Sequence, residues 1–359
     1  MPFDITGTRL RNQRLSGGRF ANPEQVVSWL GAVQAQEYGH AKWALGLRIQ
    51  RAAEGQIEAA FNEGRLLRTH VMRPTWHFVA PADIRWMLAL TAPRVSAAAG
   101  PYTRRLELDA AVFRGSQRAM VRALRGGRQL TRQELKVVLQ RAGIRTDGVQ
   151  RLARIVMQAE LDAVICSGPR RGKQFTYALL DERVPMSRSR SRDDSIAELA
   201  RRYFTSHGPA QVHDFAWWSG LTVADARAGL EAVERNLESQ TVDGRTYWVP
   251  SIGAAAGTRV AYLLPLYDEY LIAYKDRRAA LDVSRWTRIV GRDPFSAPIV
   301  VNGQVVGGWK RIQRSDALGI ALTPFVPLDK RHVAAIADAA RDYARFVGVD
   351  LELSWNATG

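Results

Sequence analysis

Two neutral amides, Gln34 and Gln36, are the residues whose type and spacing most suggest chemistry, and Ala35 lies between them. Side chains at positions i and i+2 share a face where the backbone is extended, but lie roughly 200° apart on a helix. If the apolar-periodic helix predicted for residues 23–33 ends before the pair, both amides project together. Amides are poor acids and nucleophiles, but their carbonyl oxygens can hold a water molecule and stabilise a positive centre. Two glutamines that cap a helix end in solvent would give the same pattern.

A second polar and aromatic segment, residues 266–277, supplies carboxylates. Asp268 or Glu269 could act as a general base or stabilise an oxocarbenium ion. The alternative is a carboxylate that Lys275 or Arg277 holds in a salt bridge joining two domains. Of the two carboxylates, Asp268 is the candidate expected to support the chemistry.

Aromatic side chains form a further group of candidates. Tyr38 follows the second glutamine by two positions and could support its chemistry. Trp217, Trp218 and Trp309 are either core aromatics or platforms on which nucleic-acid bases stack.

His70 and His77 lie seven positions apart around the dipeptide Arg73-Pro74. In a hairpin that turns there, the two imidazoles could approach each other across the strands. A metal pair would lack an obvious third ligand. Polar contacts to a nucleic-acid backbone and ordinary structural hydrogen bonds are the remaining interpretations.

Known cofactor motifs do not occur in the chain. The sequence contains no His-Glu-x-x-His zinc motif, no phosphate-cradling loop that ends in Gly-Lys-Ser/Thr, and no nucleophile elbow. Its single cysteine, Cys166, excludes an intrachain disulfide and a cysteine-based zinc or iron–sulfur site. We therefore expect no metal and no other cofactor.

The charge of the chain indicates a polyanionic partner. Its 359 residues include 51 Lys and Arg against 35 Asp and Glu, a formal net charge of +16. Nucleic acid is favoured over membrane, because no basic amphipathic segment with a large apolar face stands out. No run of 18 apolar residues and no apolar signal segment at the N-terminus is present, so a cytoplasmic protein is expected.

One segment shows the pattern of a winged helix most clearly. A helix at 117–124 precedes a helix that Thr131 caps, with Glu134 three positions on as a capping box. A third helix at 149–162 leads into two strand-like runs, which a basic loop at 168–174 joins. Helices closed by a basic hairpin are typical of a winged helix, in which the wing contacts the DNA backbone. The loop contains three candidate backbone contacts, Arg170, Arg171 and Lys173.

Similar patterns before and after this segment predict an α+β fold of three tandem winged helices. The third copy ends in a tight hairpin at Asp243-Gly244, and a basic linker at 187–192 precedes it. A small C-terminal α/β subdomain follows, with a turn at Asn302-Gly303 and a helix at 328–346. The predicted domains are 1–110, 111–186, 187–255 and 256–359.

Four motifs, taken in order and spacing, resemble the AlkZ/YcaQ family of DNA glycosylases over most of the chain. They are the Gln-Ala-Gln segment, residues 67–77, residues 267–277 and the run from Val305 to Trp309. The resemblance implies winged helices arranged in a C-shaped, DNA-sized channel. Gln34 and Gln36 match the Gln-apolar-Gln form of the AlkZ branch, which implies that both are catalytic. Pro74 stands where the family turn is expected to carry Gly.

The activity implied by the resemblance is excision of alkylated purines, notably N7-alkylguanine, with unhooking of interstrand crosslinks. The implied partner is double-stranded DNA carrying alkylated bases, and no cofactor is needed. Alkylation at N7 gives guanine a positive charge, so the enzyme must mainly orient water and stabilise the developing sugar cation. The residues expected to contact DNA are His70, Arg73, His77, Arg170, Arg171, Lys173, Lys275, Arg277 and Trp309.

A winged-helix transcription regulator without catalysis is the alternative from another functional class. Such regulators usually dimerise on a palindrome. Three non-identical modules in one chain favour a monomer instead, and therefore the monofunctional glycosylase.

Overall fold

The helices and strands that position the candidate residues are seen in a computed structural model, which describes residues 3–186, 189–251, 260–284, 286–287, 296–313 and 318–356. The helices are α1 Ile5–Asn12, α2 Pro23–Leu30, α3 Tyr38–Gly46, α4 Glu54–Asn62, α5 Pro81–Ala98, α6 Gly100–Arg105, α7 Ala110–Leu124, α8 Arg132–Arg141, α9 Val149–Leu161, α10 Leu180–Arg183, α11 Arg192–His207, α12 Val212–Ser219, α13 Val223–Val233, α14 Glu269–Ile272 and α15 Lys330–Val347. The strands are β1 Val33–Gln34, β2 Leu67–His70, β3 Trp76–Val79, β4 Leu130–Thr131, β5 Ile165–Ser167, β6 Thr176–Leu179, β7 Glu238–Val242, β8 Arg245–Val249, β9 Ala261–Leu263, β10 Ala297–Val301, β11 Gln304–Gln313, β12 Leu318–Pro324 and β13 Leu351–Trp355. None of the described helices is long and apolar enough to cross a membrane.

Three segments repeat one order of elements: a helix, a short strand, two helices and a hairpin. The first unit, residues 23–79, has the sheet order β1-β3-β2, and the second unit, residues 110–179, has the equivalent order β4-β6-β5. In the third unit, residues 192–249, the hairpin β7–β8 pairs with the chain through a single bridge between Ala210 and Trp248. Helix α3, which follows the two glutamines, was not predicted.

Local signals explain where several elements begin and end. The predicted capping box is present: Thr131 Oγ1 accepts the N–H of Glu134, and the Glu134 carboxylate accepts the N–H of Thr131 at 2.7 Å. Helix α2 ends at Gly31, which adopts φ +83°. Asn302 and Gly303, both at positive φ, form the predicted turn between β10 and β11.

The C-terminal part forms one five-stranded sheet in the order β13-β12-β11-β10-β9. Strand β12, which the sequence did not indicate, pairs in parallel with β13, and the remaining pairs are antiparallel. Helix α15 packs on this sheet, as its apolar stripe requires. The predicted boundary near residue 255 lies outside the described residues.

Two of the three hydrophobic cores combine distant parts of the chain. The first unit and the C-terminal sheet share one core, in which Trp43 packs against Tyr343 and Phe346 at ring-centre distances of 5.0 and 5.1 Å. The third unit shares another with the first hairpin and Tyr274, whereas the second unit has a core of its own. In the predicted linker, residues 187–188 lie outside the described part, and Arg192 begins α11.

Candidate active site and nucleic-acid interface

Gln34 ends the short strand β1 after α2, and Gln36 lies in the bend that follows. Gln34 pairs with His77 across β1 and β3, and the N–H of Ala35 donates to the carbonyl of Trp76 at 2.7 Å. Ala35 is buried, Gln34 is half-buried and Gln36 is exposed. This alternation places both amides on one side of the strand, away from the core.

A fully buried carboxylate, Glu269, lies behind Gln34. It accepts the backbone N–H of Gln34 at 3.1 Å and the indole N–H of Trp218 at 2.9 Å, and His207 Nε2 lies 3.5 Å away. Burial opposes ionisation, but His207, Arg73 and the Gln34 N–H outweigh it and hold the pKa of Glu269 below its usual value. Glu269 is therefore an anion beneath the glutamine pair at neutral pH.

The guanidinium of Arg73 determines which way the Gln34 amide faces. Its Nη2 lies 3.4 Å from Gln34 Oε1. A guanidinium carries only donors, so the Gln34 oxygen must be the atom that faces it. The amide nitrogen of Gln34 is then turned away from Arg73, whereas the Gln36 side chain makes no hydrogen bond to a described residue.

The turn that carries Arg73 is held against the third unit. Gly220 ends α12 with φ +71°, and a Cβ at this position would lie 2.1 Å from the carbonyl oxygen of Met72. Only glycine tolerates both the backbone conformation and this close approach. The contact fixes the position of Arg73 relative to Trp218.

The two histidines of the first hairpin are buried, and this burial opposes their prediction as DNA contacts. His77 Nδ1–H donates to the carbonyl of Thr75 at 3.0 Å. Burial, and then the charge of Arg73, lower the pKa of His77 to about 3, so the ring is neutral. His70 Nδ1 contacts Glu160 at 2.5 Å, and its ring lies 4.3 Å from that of Trp76.

Three other predicted residues have structural contacts instead. Asp268 forms a wholly buried two-point ion pair with Arg48, both contacts at 2.9 Å, rather than with Lys275 or Arg277. Trp309 is 1% exposed and donates to the carbonyl of Leu264, so it is a core residue and not a DNA contact. The Tyr38 hydroxyl donates to Glu58 at 3.1 Å and not towards the glutamines. Asp268 and Tyr38 are therefore not placed to support the chemistry.

In the basic loop of the second unit, two of the three predicted DNA contacts are engaged by other residues of the protein. Arg170 is half-buried, with its guanidinium 5.0 Å from the Tyr38 ring centre and 3.4 Å from Glu58, so it joins the first two units. Arg171 is exposed but pairs with Glu134 at 2.7 Å. Lys173 is exposed and forms no ion pair with a described residue.

Lys275 and Arg277 line a groove of about 640 Å³ beside α12, together with the exposed Trp217. Lys275 is exposed, whereas Arg277 is half-buried. Burial, and then the nearby charge of Arg73, lower the pKa of the Arg277 guanidinium. The guanidinium of Arg277 therefore lies near that of Arg73. Within the described ranges, no three His, Cys, Asp or Glu side chains are grouped to hold a metal ion.

Comparison with known proteins identifies the family to which the chain belongs. The family model for "DNA glycosylase AlkZ-like" matches residues 27–346, a span that includes both glutamines and Glu269. This chain belongs to the AlkZ-like DNA glycosylase family. It is 23% identical to the "Interstrand DNA cross-link repair glycosylase" of Streptomyces sahachiroi over 95% of each chain. The solved structure of the "Streptomyces sahachiroi DNA glycosylase AlkZ" has the same fold, with a TM-score of 0.83 and 24% identity over 98% of each chain.

In this AlkZ-like chain, the sequence named Glu269 only as an alternative to Asp268, and it did not indicate Arg68. Glu269, and not its neighbour Asp268, contacts Gln34, and no sequence signal separates the two carboxylates. Arg68 Nε donates to the carbonyl of Ala35 at 2.9 Å, and its guanidinium lies 4.3 Å from the Trp76 ring centre. Arg68 stands in a motif already singled out, but its role depends on strand pairing.

Proposed function

We propose that this protein is a DNA glycosylase that hydrolyses the N-glycosidic bond of alkylated purines of the N7-alkylguanine type. The main support is the pattern of burial around buried Ala35, which leaves Gln34 half-buried and Gln36 exposed, inside the span that the family model matches. The proposed substrate is double-stranded DNA, and the protein acts as a cytoplasmic monomer. The similar protein from Streptomyces sahachiroi is named for interstrand crosslink repair, which extends the proposal to crosslinked bases.

The three repeated units are proposed to be winged helices around a C-shaped channel that holds the duplex. The repeated order of helices and hairpins supports this assignment. The positive net charge supports a channel that takes up DNA. In this arrangement Gln36, Lys173 and Lys275, all of them exposed, face the duplex.

The chemistry requires little acid catalysis. An N7-alkylated guanine is positively charged and leaves readily, so the enzyme needs to place a water molecule and stabilise a sugar cation. The exposed amide of Gln36 has a free carbonyl oxygen, which suits the water. The buried anion of Glu269 lies beneath the site and contributes a field that favours positive charge.

The two glutamines are proposed to have different tasks. Because Arg73 faces the carbonyl oxygen of Gln34, the amide group that Gln34 offers to the DNA is its NH₂. This group can donate to a sugar, a phosphate or a base edge and so orient the nucleotide. Gln36 then provides the acceptor that orients the water molecule.

A monofunctional reaction fits the residues around the pair. A glycosylase that also cleaves the strand needs an amine nucleophile at the sugar. Lys42, the lysine nearest to the glutamines in sequence, is buried and paired with Glu54 at 2.8 Å and Glu58 at 3.0 Å. Water is therefore the proposed nucleophile.

Crosslinked bases are proposed as substrates because Gln36 is exposed. Many glycosylases flip their base into an enclosed pocket. A crosslinked base cannot be fully extruded, since it remains tied to the opposite strand. A catalytic amide on an open surface can approach such a base in place.

Base release from a duplex with a single N7-methylguanine, measured with EDTA present, tests the proposal. The wild-type protein should release the base above the spontaneous rate, and Gln36→Ala should abolish the excess. Gln140→Ala, which removes an exposed amide on α8, is the matched control and should behave as wild type. The same assay on a crosslinked duplex tests unhooking.

The absence of release from both duplexes would contradict the proposal. A palindromic footprint without base release would then favour a transcription regulator. Release that requires a metal ion, or that persists in Gln36→Ala, would contradict the proposed site.

A further inference from the structure

A cleft of about 660 Å³ lies between the hairpin of the first unit and the helices of the second unit. Arg68 and Trp76 line it from the first unit. The N-terminal ends of α8 and α9, and the basic loop at 168–174, line it from the second unit. Arg68 links this wall to the glutamine segment, because its Nε also donates to the carbonyl of Ala35.

The cleft carries uncompensated positive charge. Arg132 and Lys136 stand one helical turn apart on α8, and Lys173 reaches it from the loop. These three cations form no ion pair with a carboxylate in the described part of the chain. Glu134, on the same helix, is committed to Thr131 and Arg171. An anion is therefore the expected occupant.

A buried hydroxyl independently indicates a ligand. Thr146 lines the cleft and is only 2% exposed, and its Oγ1 has no hydrogen-bond partner among the described residues. Leaving such a group unpaired is unfavourable, because it has lost its hydrogen bonds to water. Close by, α9 begins after Gly148, which has no side chain to cap the first N–H groups. Free helix N–H groups and a hydroxyl are donors that suit a phosphate.

Part of the remaining wall is apolar, and the cleft is larger than a phosphate. Val149 is 83% exposed, and Leu152, Trp76 and Phe175 continue this surface. A sugar ring next to a phosphate needs such a surface. We infer that the cleft binds one sugar–phosphate segment of a DNA strand and so seats that strand beside Gln36. This inference rests on the proposed DNA substrate but not on base excision.

The first test is the salt dependence of binding to an undamaged duplex, measured by fluorescence anisotropy. Arg132→Ala combined with Lys136→Ala should lower the slope of log K against log salt by about 0.9 for each phosphate that the variant no longer neutralises. The matched control is Arg114→Ala with Arg118→Ala, which removes two exposed charges with the same spacing on α7. An unchanged slope, or an equal decrease in the control, would overturn the inference.

Thr146→Val tests the hydroxyl without changing the charge. It should weaken binding about tenfold, the value of one hydrogen bond to a charged group, while the thermal unfolding temperature stays near that of wild type. Wild-type affinity would overturn the assignment of Thr146 as a ligand contact.

A scan with single methylphosphonates locates the segment. Replacing one charged phosphate at a time should identify a position at which wild type loses affinity and the Arg132→Ala, Lys136→Ala variant does not. A variant that responds like wild type at every position would overturn the inference. Because undamaged DNA is used, these outcomes are separate from any failure of the glycosylase assay.

Discussion

Glu269 accepts the backbone N–H of Gln34 at 3.1 Å, although 235 positions separate the two residues. The contact joins the C-terminal part of the chain to the strand that carries the candidate catalytic amides. Trp218 and His207, from the third unit, contact the same carboxylate. The site is therefore assembled from three distant parts of the sequence.

Glu269→Gln should reduce base excision more than DNA binding. The amide keeps an oxygen for the Gln34 N–H but loses the negative charge that attracts Arg73. We expect kcat to fall roughly 10- to 100-fold, as for a misplaced catalytic group, and DNA affinity to stay within about threefold. Glu160→Gln, another buried glutamate, is the control in single-turnover assays. Equal losses in both variants would indicate general damage to the fold.

The proposed division of tasks predicts opposite responses to a carboxylate at the two positions. Gln36→Glu keeps acceptor oxygens and should retain at least about tenfold more activity than Gln36→Ala. Gln34→Glu loses the NH₂ donor and should be as inactive as Gln34→Ala. The measurement is the rate of N7-methylguanine release by each of these four variants. A Gln34→Glu protein more active than Gln36→Glu would contradict the amide orientation.

Asp268→Asn should act through stability. Removing one partner of a wholly buried ion pair costs about 3–5 kcal/mol, because the Arg48 charge is left buried and unpaired. The midpoint of urea unfolding should fall clearly, whereas kcat per folded molecule at low temperature should not change. Asp276→Asn, whose closer partner Arg278 is exposed, should shift the midpoint little. A loss of kcat without a loss of stability would restore a chemical role for Asp268.

Acid should destabilise the protein over a wide range of pH. Burial lowers the pKa of His77 to about 3 and that of His40 to about 4. Unfolded histidine binds a proton near pH 6.5, so the stability is complete above pH 6.5 and is lost as pH falls towards 3. His77→Gln should flatten the dependence by about 1.4 kcal/mol per pH unit between pH 6 and 4. An NMR titration of His77 above pH 5 would contradict its neutral state.

The basic loop should divide into one DNA contact and one structural residue. Lys173→Ala should lower the salt slope of DNA binding by about 0.9. Arg170→Ala should leave the slope unchanged but lower the unfolding temperature, because its guanidinium packs on Tyr38 and beside Glu58. Equal decreases in the salt slope for both variants would indicate that Arg170 also contacts DNA.

Features governed by neighbouring residues could be predicted from the sequence. The capping box of Thr131 and Glu134 and the turn at Asn302-Gly303 depend on contacts within a few positions, and both are present. The helix predicted at 149–162 runs from Val149 to Leu161 for the same reason. The sequence predicts two amides on one face only if α2 ends before them. In the structure α2 ends at Gly31, before the pair.

Features governed by distant contacts could not be predicted. Asp268 and Glu269 are adjacent carboxylates that the sequence does not distinguish. Only the start of α14 directs one to Arg48 and the other to Gln34. From the sequence, Trp309 could be a core residue or a stacking platform. The structure shows that it packs against Tyr343. The burial of His77 likewise follows from the packing of β3 between two strands.

The contact between Gln34 and Glu269 also has a consequence for the synthesis of the chain. The ribosome makes both glutamines early, but the anion beneath them is added 235 residues later. A nascent chain, or a fragment left by proteolysis before residue 269, would carry both amides without the group that anchors them. Catalytic competence would therefore arise only after residue 269 has been made, and shorter products would lack it.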